Sequence, residues 1–229
     1  MTKQRERRTL FCDLAQARVE RREDGTAEKI SGYAAVFFDP AKPGTEYEMW
    51  PGYRERVAAG AFADVLGQDV RGLFNHDANM VLGRTKSATM RLSEDAIGLR
   101  YEIDIPDTQA GRDTATSIQR GDVTGSSFSF IVGERLMEDF EDGTTVRTII
   151  KVKRLYDVGP VTFPAYEGTE ASARCDDIEV ARREAEAHSR ERGEESKGGD
   201  GDTGEAPRNQ GAGLDMDLRL VEIKSIMTI

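Results

Sequence analysis

Apolar residues recur at every second position through much of the first 165 residues, in short runs closed by turn formers. That is the pattern of strands with one face buried. Leu99, Tyr101, Ile103 and Ile105 share one face of a run over 98–105, and 88–92 precedes it across Glu94-Asp95, which predicts an antiparallel pair. Asp24-Gly25 predicts a turn before the apolar run 30–38, which Asp39-Pro40 closes. Pro40, Pro43, Gly44, Pro51 and Gly52 then predict a long loop carrying the single tryptophan, Trp50. Further strands are expected over 70–74, 80–82, 144–152 and 155–163, with a short helix over 60–66. Pro106-Asp107-Thr108 offers an N-cap, Asp107 or Thr108, to a helix over 110–120 that hands the chain to a strand beginning near Gly125. The pattern as a whole predicts a mainly β domain with a few helices (α+β), barrel-like in architecture.

The pattern changes after Pro164-Ala165-Tyr166. We expect a folded domain over 1–170, a charged helical segment over 171–192, a flexible acidic linker over 193–213 and an apolar C-terminal peptide over 214–229. Apolar positions in that last peptide fit a helical or a strand period, so its secondary structure stays open, and it reads as a docking or self-cleaved peptide.

The chain has 229 residues, enough for one domain with a substantial core plus extensions. Its formal net charge of −10 argues against nucleic acid as a partner, because affinity for a phosphate backbone comes from Lys and Arg. Cys12 and Cys175 are far apart and lack any paired spacing, so no disulfide framework, metal or cofactor is expected. The basic first ten residues are not followed by a long apolar stretch, so neither a signal peptide nor a membrane partner is expected.

Candidate chemistry lies in Gly125-Ser126-Ser127-Phe128-Ser129-Phe130. Alternation puts Ser126, Phe128 and Phe130 on one face and Ser127 and Ser129 on the other. Since the phenylalanines require the core, Ser127 and Ser129 are expected to point outward. A rigid strand is a good mount for a nucleophile, although the same spacing describes an ordinary solvated face. His76, in Asn75-His76-Asp77, is the one histidine within the patterned region, and imidazole is the base a serine hydroxyl needs near neutral pH. Asp157 interrupts an otherwise core-like run, Leu155 to Val161, where an acid is costly without a partner.

Taken in order, Gly60-Ala61-Phe62, Phe74-Asn75-His76-Asp77, Leu82-Gly83-Arg84-Thr85, Gly98-Leu99, Pro106-Asp107-Thr108, Arg120-Gly121-Asp122-Val123, Ser127-Phe128-Ser129-Phe130 and Val161-Thr162-Phe163-Pro164-Ala165-Tyr166 form a distinctive series. Over roughly residues 28–170 it resembles the tailed-phage prohead (capsid maturation) protease family, itself distantly similar to the herpesvirus assemblin. The resemblance implies a closed β-barrel with surrounding helices and a serine endopeptidase working inside the immature capsid. It implies His76 as base, Ser127 as nucleophile and Asp157 in the place of the third, acidic member. Many relatives carry glycine where this chain has Ser129, and the herpesvirus relatives use a second histidine in place of the acid. Implied partners are a major capsid protein or scaffold as substrate, with possible homodimers or multiple copies in the prohead, and the implied location is the prohead within the host cytoplasm. Self-cleavage in the 193–213 linker and oxyanion donors among the backbone amides of 164–167 are further expectations. The competing function is a scaffold or capsid-assembly module without catalysis on the same fold. An α/β hydrolase is disfavoured, since Ser127 lacks a Gly-x-Ser-x-Gly elbow.

Overall fold

The computed structural model describes residues 5–10, 15–25, 27–162 and 176–195. Eleven strands and two helices are found among them: β1 (Glu6–Leu10), β2 (Arg18–Arg21), β3 (Ala27–Val36), β4 (Glu46–Trp50), β5 (Tyr53–Val57), β6 (Arg71–Leu73), β7 (Val81–Arg84), β8 (Met90–Glu94), β9 (Gly98–Asp104), α1 (Gln109–Arg120), β10 (Gly125–Asp139), β11 (Thr145–Val161) and α2 (Asp176–Glu195). The fold is α+β and dominated by sheet.

Two sheets carry these strands. The larger runs β1-β10-β11-β5-β4, with β6 and β7 branching from β11, and the smaller runs β2-β3-β9-β8. Their facing sides make one core, in which Ile30, Phe62, Tyr101, Ile103, Phe128 and Phe130 are fully buried. Alternation along β9 is the sequence signal of this core, since Leu99, Tyr101 and Ile103 face it while Arg100, Glu102 and Asp104 do not.

The barrel expected from the strand pattern and from the resemblance is not formed: among the described residues neither strand path returns to its first strand, and no ladder joins the two sheets. The chain shows why at the end of β3. Phe38 donates a single bond from its amide to the Val57 carbonyl of β5 (2.8 Å), and Pro40, which has no N–H, prevents a ladder from continuing. Closure needs every edge paired, whereas β2, β8 and β4 each keep a free side.

Three local expectations also change. Thr145–Val161 is one 17-residue strand where two were expected, over 144–152 and 155–163. Its consecutive exposed residues Lys153 and Arg154 look like a break, but register shifts in the facing β10 between Ser129 and Arg135 absorb the change of phase. The predicted long loop is instead largely the β4–β5 hairpin, turning at Pro51-Gly52, with Trp50 stacked on Tyr53 at 4.1 Å between ring centroids. The expected helix over 60–66 shrinks to a 3₁₀ turn, Ala63–Val65.

Helix α1 starts where the sequence places it. The Thr108 side chain accepts from the Gly111 amide (3.1 Å), a cap contributing about 1 kcal/mol, and Gly121 ends the helix in the left-handed region (φ 81°). Helix α2 lays Ala181 and Ala185 against Met49, Trp50 and Tyr53 of the β4–β5 hairpin. Among the described residues no helix is long and apolar enough to cross a membrane.

Candidate active site

Strand β10 is fixed by its aromatic face. Phe128 and Phe130 stack at 4.6 Å, Phe62 meets Phe128 edge-on at 5.5 Å, and all three are buried. Ser126 shares that face, where its hydroxyl bonds the buried Tyr101 hydroxyl at 2.9 Å, so it belongs to the core. Ser127 and Ser129 therefore occupy the opposite face, as alternation requires. That face is not solvated, contrary to the expectation of outward-pointing serines: both are 0% exposed. The reason is β1, which pairs antiparallel with β10 in the register Thr9 to Ser127 and Arg7 to Ser129.

His76 sits in the turn between β6 and β7. Both Asn75 (φ 52°) and His76 (φ 58°) adopt the left-handed region, which costs non-glycine residues on the order of 1–3 kcal/mol each. Asn75 holds this turn in place. Its side-chain amide donates to Thr162 Oγ1 (3.1 Å) and accepts from the Thr162 amide (2.9 Å), and its own backbone amide donates to the Pro160 carbonyl (3.1 Å). The turn is thereby clamped to the end of β11 and the imidazole is aimed across that strand.

Asp157, 2% exposed, stands on β11 directly opposite Ser129. Two residues on, Gly159 faces Ser127 across the ladder. A Cβ at Gly159 would lie 2.0 Å from the Leu73 carbonyl oxygen, so only glycine lets β6, which carries the histidine turn, run alongside β11. Substituting Gly159→Ala is expected to push β6 outward and displace the imidazole. An ångström of misplacement is enough for a loss of about 100-fold in any reaction that uses this imidazole, measurable as slower labelling of Ser127 by a serine-directed reagent.

The structure brings the three sequence-predicted side chains together. His76 Nε2 lies 2.6 Å from Ser127 Oγ, and Nδ1 of the same ring bonds Oδ1 of Asp157. A proton on Nδ1 is stabilised by the carboxylate, which leaves the Nε2 lone pair facing the hydroxyl. Charge, tautomer and distance suit transfer of the serine proton to the ring. The proposed oxyanion donors over 164–167 lie outside the described residues. Among the described residues no group of three or more His, Cys, Asp or Glu could hold a metal ion.

Several contacts at this site were not visible in the sequence. Arg5 bonds Oδ2 of Asp157 through its guanidinium, reaches Ser129 Oγ through Nε, and lies over the Tyr156 ring at 4.8 Å. Thr9 donates its hydroxyl to Ser127 Oγ (3.0 Å), and Ser127 Oγ is within donating distance of the Arg8 carbonyl (2.8 Å). The run Arg5-Glu6-Arg7-Arg8 looks like a solvated basic end, and nothing local marks it as a strand over the site.

Beneath β1 lies a buried charge cluster. Arg147 of β11 donates to Glu6 (2.9 Å) and Glu55 (2.6 Å) and pairs with Glu184 of α2 (2.9 Å), while Arg8 donates to Glu55 (2.5 Å) and Glu6 (2.6 Å). Burial alone would raise the Glu6 carboxyl, but hydrogen bonds and charge from Arg147 and Arg8 outweigh it and hold its pKa below the ordinary value. For Glu184 burial wins and the pKa is raised. A depressed carboxyl contributes stability that is fully present above its unfolded value of 4.5 and is lost as pH falls through the folded value. Wild type is therefore expected to lose more stability than Glu6→Gln as pH drops below about 4.5, as read from denaturant midpoints across a pH series.

A family model described as caudovirus prohead serine protease matches residues 16–184. The solved structure of the bacteriophage T4 capsid assembly protease, gp21, is similar at 11% identity with a TM-score of 0.42, covering 70% of this chain and 99% of that one. No curated protein sequence matches.

Proposed function

The chain belongs to the caudovirus prohead serine protease family, and on that premise we propose that it is a serine endopeptidase that cuts capsid or scaffold protein, and itself, inside the phage prohead. Ser127 is the nucleophile, His76 the general base and acid, and Asp157 the group that orients the ring. The observation that carries this reading is the position of the His76 ring, bonded to the Asp157 carboxylate on one side and 2.6 Å from Ser127 Oγ on the other.

In the reaction, Ser127 Oγ forms a bond to the scissile carbonyl carbon while its proton passes to His76 Nε2. The tetrahedral intermediate collapses as Nε2 returns that proton to the departing amine. Water then repeats the sequence on the acyl-enzyme, releasing the new carboxyl terminus and the free serine. Asp157 keeps the proton on Nδ1 and stabilises the imidazolium formed in each half. The order of the residues in the chain, His then Ser then Asp, is immaterial, because such a triad is defined by geometry and role.

Co-expression with the phage's major capsid protein, followed by intact-mass analysis of both polypeptides, tests the reading. Defined capsid fragments and a shortened protease are expected. Uncut polypeptides in particles that still assemble would support the scaffold function instead.

A further inference from the structure

Residues 5–10 touch two of the three proposed catalytic side chains, and every contact opposes catalysis. Ser127 has one hydroxyl proton, and two acceptors face it: His76 Nε2 at 2.6 Å and the Arg8 carbonyl of β1 at 2.8 Å. The Thr9 hydroxyl donates to the same oxygen at 3.0 Å, drawing on the lone pairs needed for attack. Arg5 places a positive charge on Asp157, the group that would stabilise an imidazolium. The peptide of β1 also meets Ser127 through its carbonyl oxygen, as a hydrogen-bond acceptor, and not through the carbon a nucleophile would attack.

β1 is also the terminal strand of its sheet, so its departure leaves the β10 edge open at Ser127. The family match begins at residue 16, beyond β1. The anchoring of β1 is polar: the buried residues it sends inward are Glu6 and Arg8, at 1% and 3% exposure. Buried ion pairs hold weakly in net terms, because desolvation offsets much of their attraction, and a strand so charged is readily solvated once free. Its removal would take from buried Glu55 the Arg8 guanidinium that bonds both of its carboxylate oxygens, leaving Arg147 as the cation still paired with it.

We propose that β1 is an autoinhibitory strand lying in the substrate's place, and that the freed β10 edge takes an extended, antiparallel polypeptide segment whose basic residue meets Glu55. Main-chain pairing to an open sheet edge supplies affinity, and the side-chain site supplies selectivity. This rests on Ser127 being the nucleophile.

The test is the rate at which diisopropyl fluorophosphate modifies Ser127, read by intact mass with Ser127→Ala as the blank. In that reaction Oγ bonds phosphorus, fluoride leaves and His76 takes the proton. The full chain is compared with Arg8→Ala and with a chain lacking residues 1–12, each checked for folding by thermal melting. If the shortened chain fails to fold, Arg8→Ala carries the comparison. At least tenfold faster modification is expected in the loosened forms, reversed by a synthetic peptide of residues 5–10. Equal rates in the full chain and the folded loosened forms would overturn the inhibitory role while leaving Ser127 as nucleophile. Protection by a peptide with Arg8→Glu as good as that by the original would overturn the basic preference. Absence of modification at Ser127 in every folded form would instead remove the catalytic reading itself.

Discussion

Changing His76 to alanine is expected to lower peptide-bond cleavage by about 10⁴- to 10⁶-fold, with the Michaelis constant nearly unchanged. The imidazole reaches both other members of the site, so no proposed proton transfer survives its loss. Asp157→Asn is expected to cost about 10⁴-fold by another route, because an amide can donate to Nδ1 and so favour the tautomer with its proton on Nε2, where it blocks the serine. The double variant should be little worse than His76→Ala alone, since residues acting as one unit are not additive. Single-turnover cleavage of a capsid-derived peptide measures all three. Additive losses would mean that Asp157 does not act through the ring.

The second large effect concerns stability. Arg147→Ala is expected to cost about 3–5 kcal/mol, because it leaves Glu6 and Glu55 buried together with only Arg8 between them. Arg147→Met should cost less if Arg8→Met, Glu6→Gln and Glu55→Gln accompany it, since neutral groups of similar volume then replace the charges that bond one another beneath β1 at little loss. Urea unfolding midpoints at neutral pH distinguish the two. A loss under 1 kcal/mol for Arg147→Ala would show that water reaches the cluster.

How much of this was legible in the chain depended on range. The β8–β9 pair and α1 were readable because alternation, a Pro stop and the Thr108 cap are local signals. Ser127, His76 and Asp157 stood out as candidates because each departs from its surroundings: serines between buried phenylalanines, the one histidine of the patterned region, an acid in a core-like run. That the three meet depends on Gly159 and on the clamp from Asn75 to Thr162, contacts between segments far apart in sequence. The position of β1 was hidden for the same reason, because Arg8 and Glu6 look like surface residues until Glu55 and Arg147 are placed beside them. A barrel was expected both from the succession of strands and from the resemblance, yet no residue here required closure, and Pro40 was legible only as the end of an apolar run.

The pairing of the first strand with the tenth has a further consequence, in time. Thr9 and Ser127 are 118 positions apart, so the ribosome makes one about 6–24 s before the other at roughly 5–20 residues per second. Throughout that interval β1 waits for the strand it pairs with, while Glu55, which Arg8 bonds, follows it by only 47 positions. Asp157, made later still, closes the constellation with His76 and Ser127, which is therefore complete on the nascent chain only once residue 157 has emerged. The strand that covers Ser127 is by then already present, so the folding chain completes the constellation and its cover together.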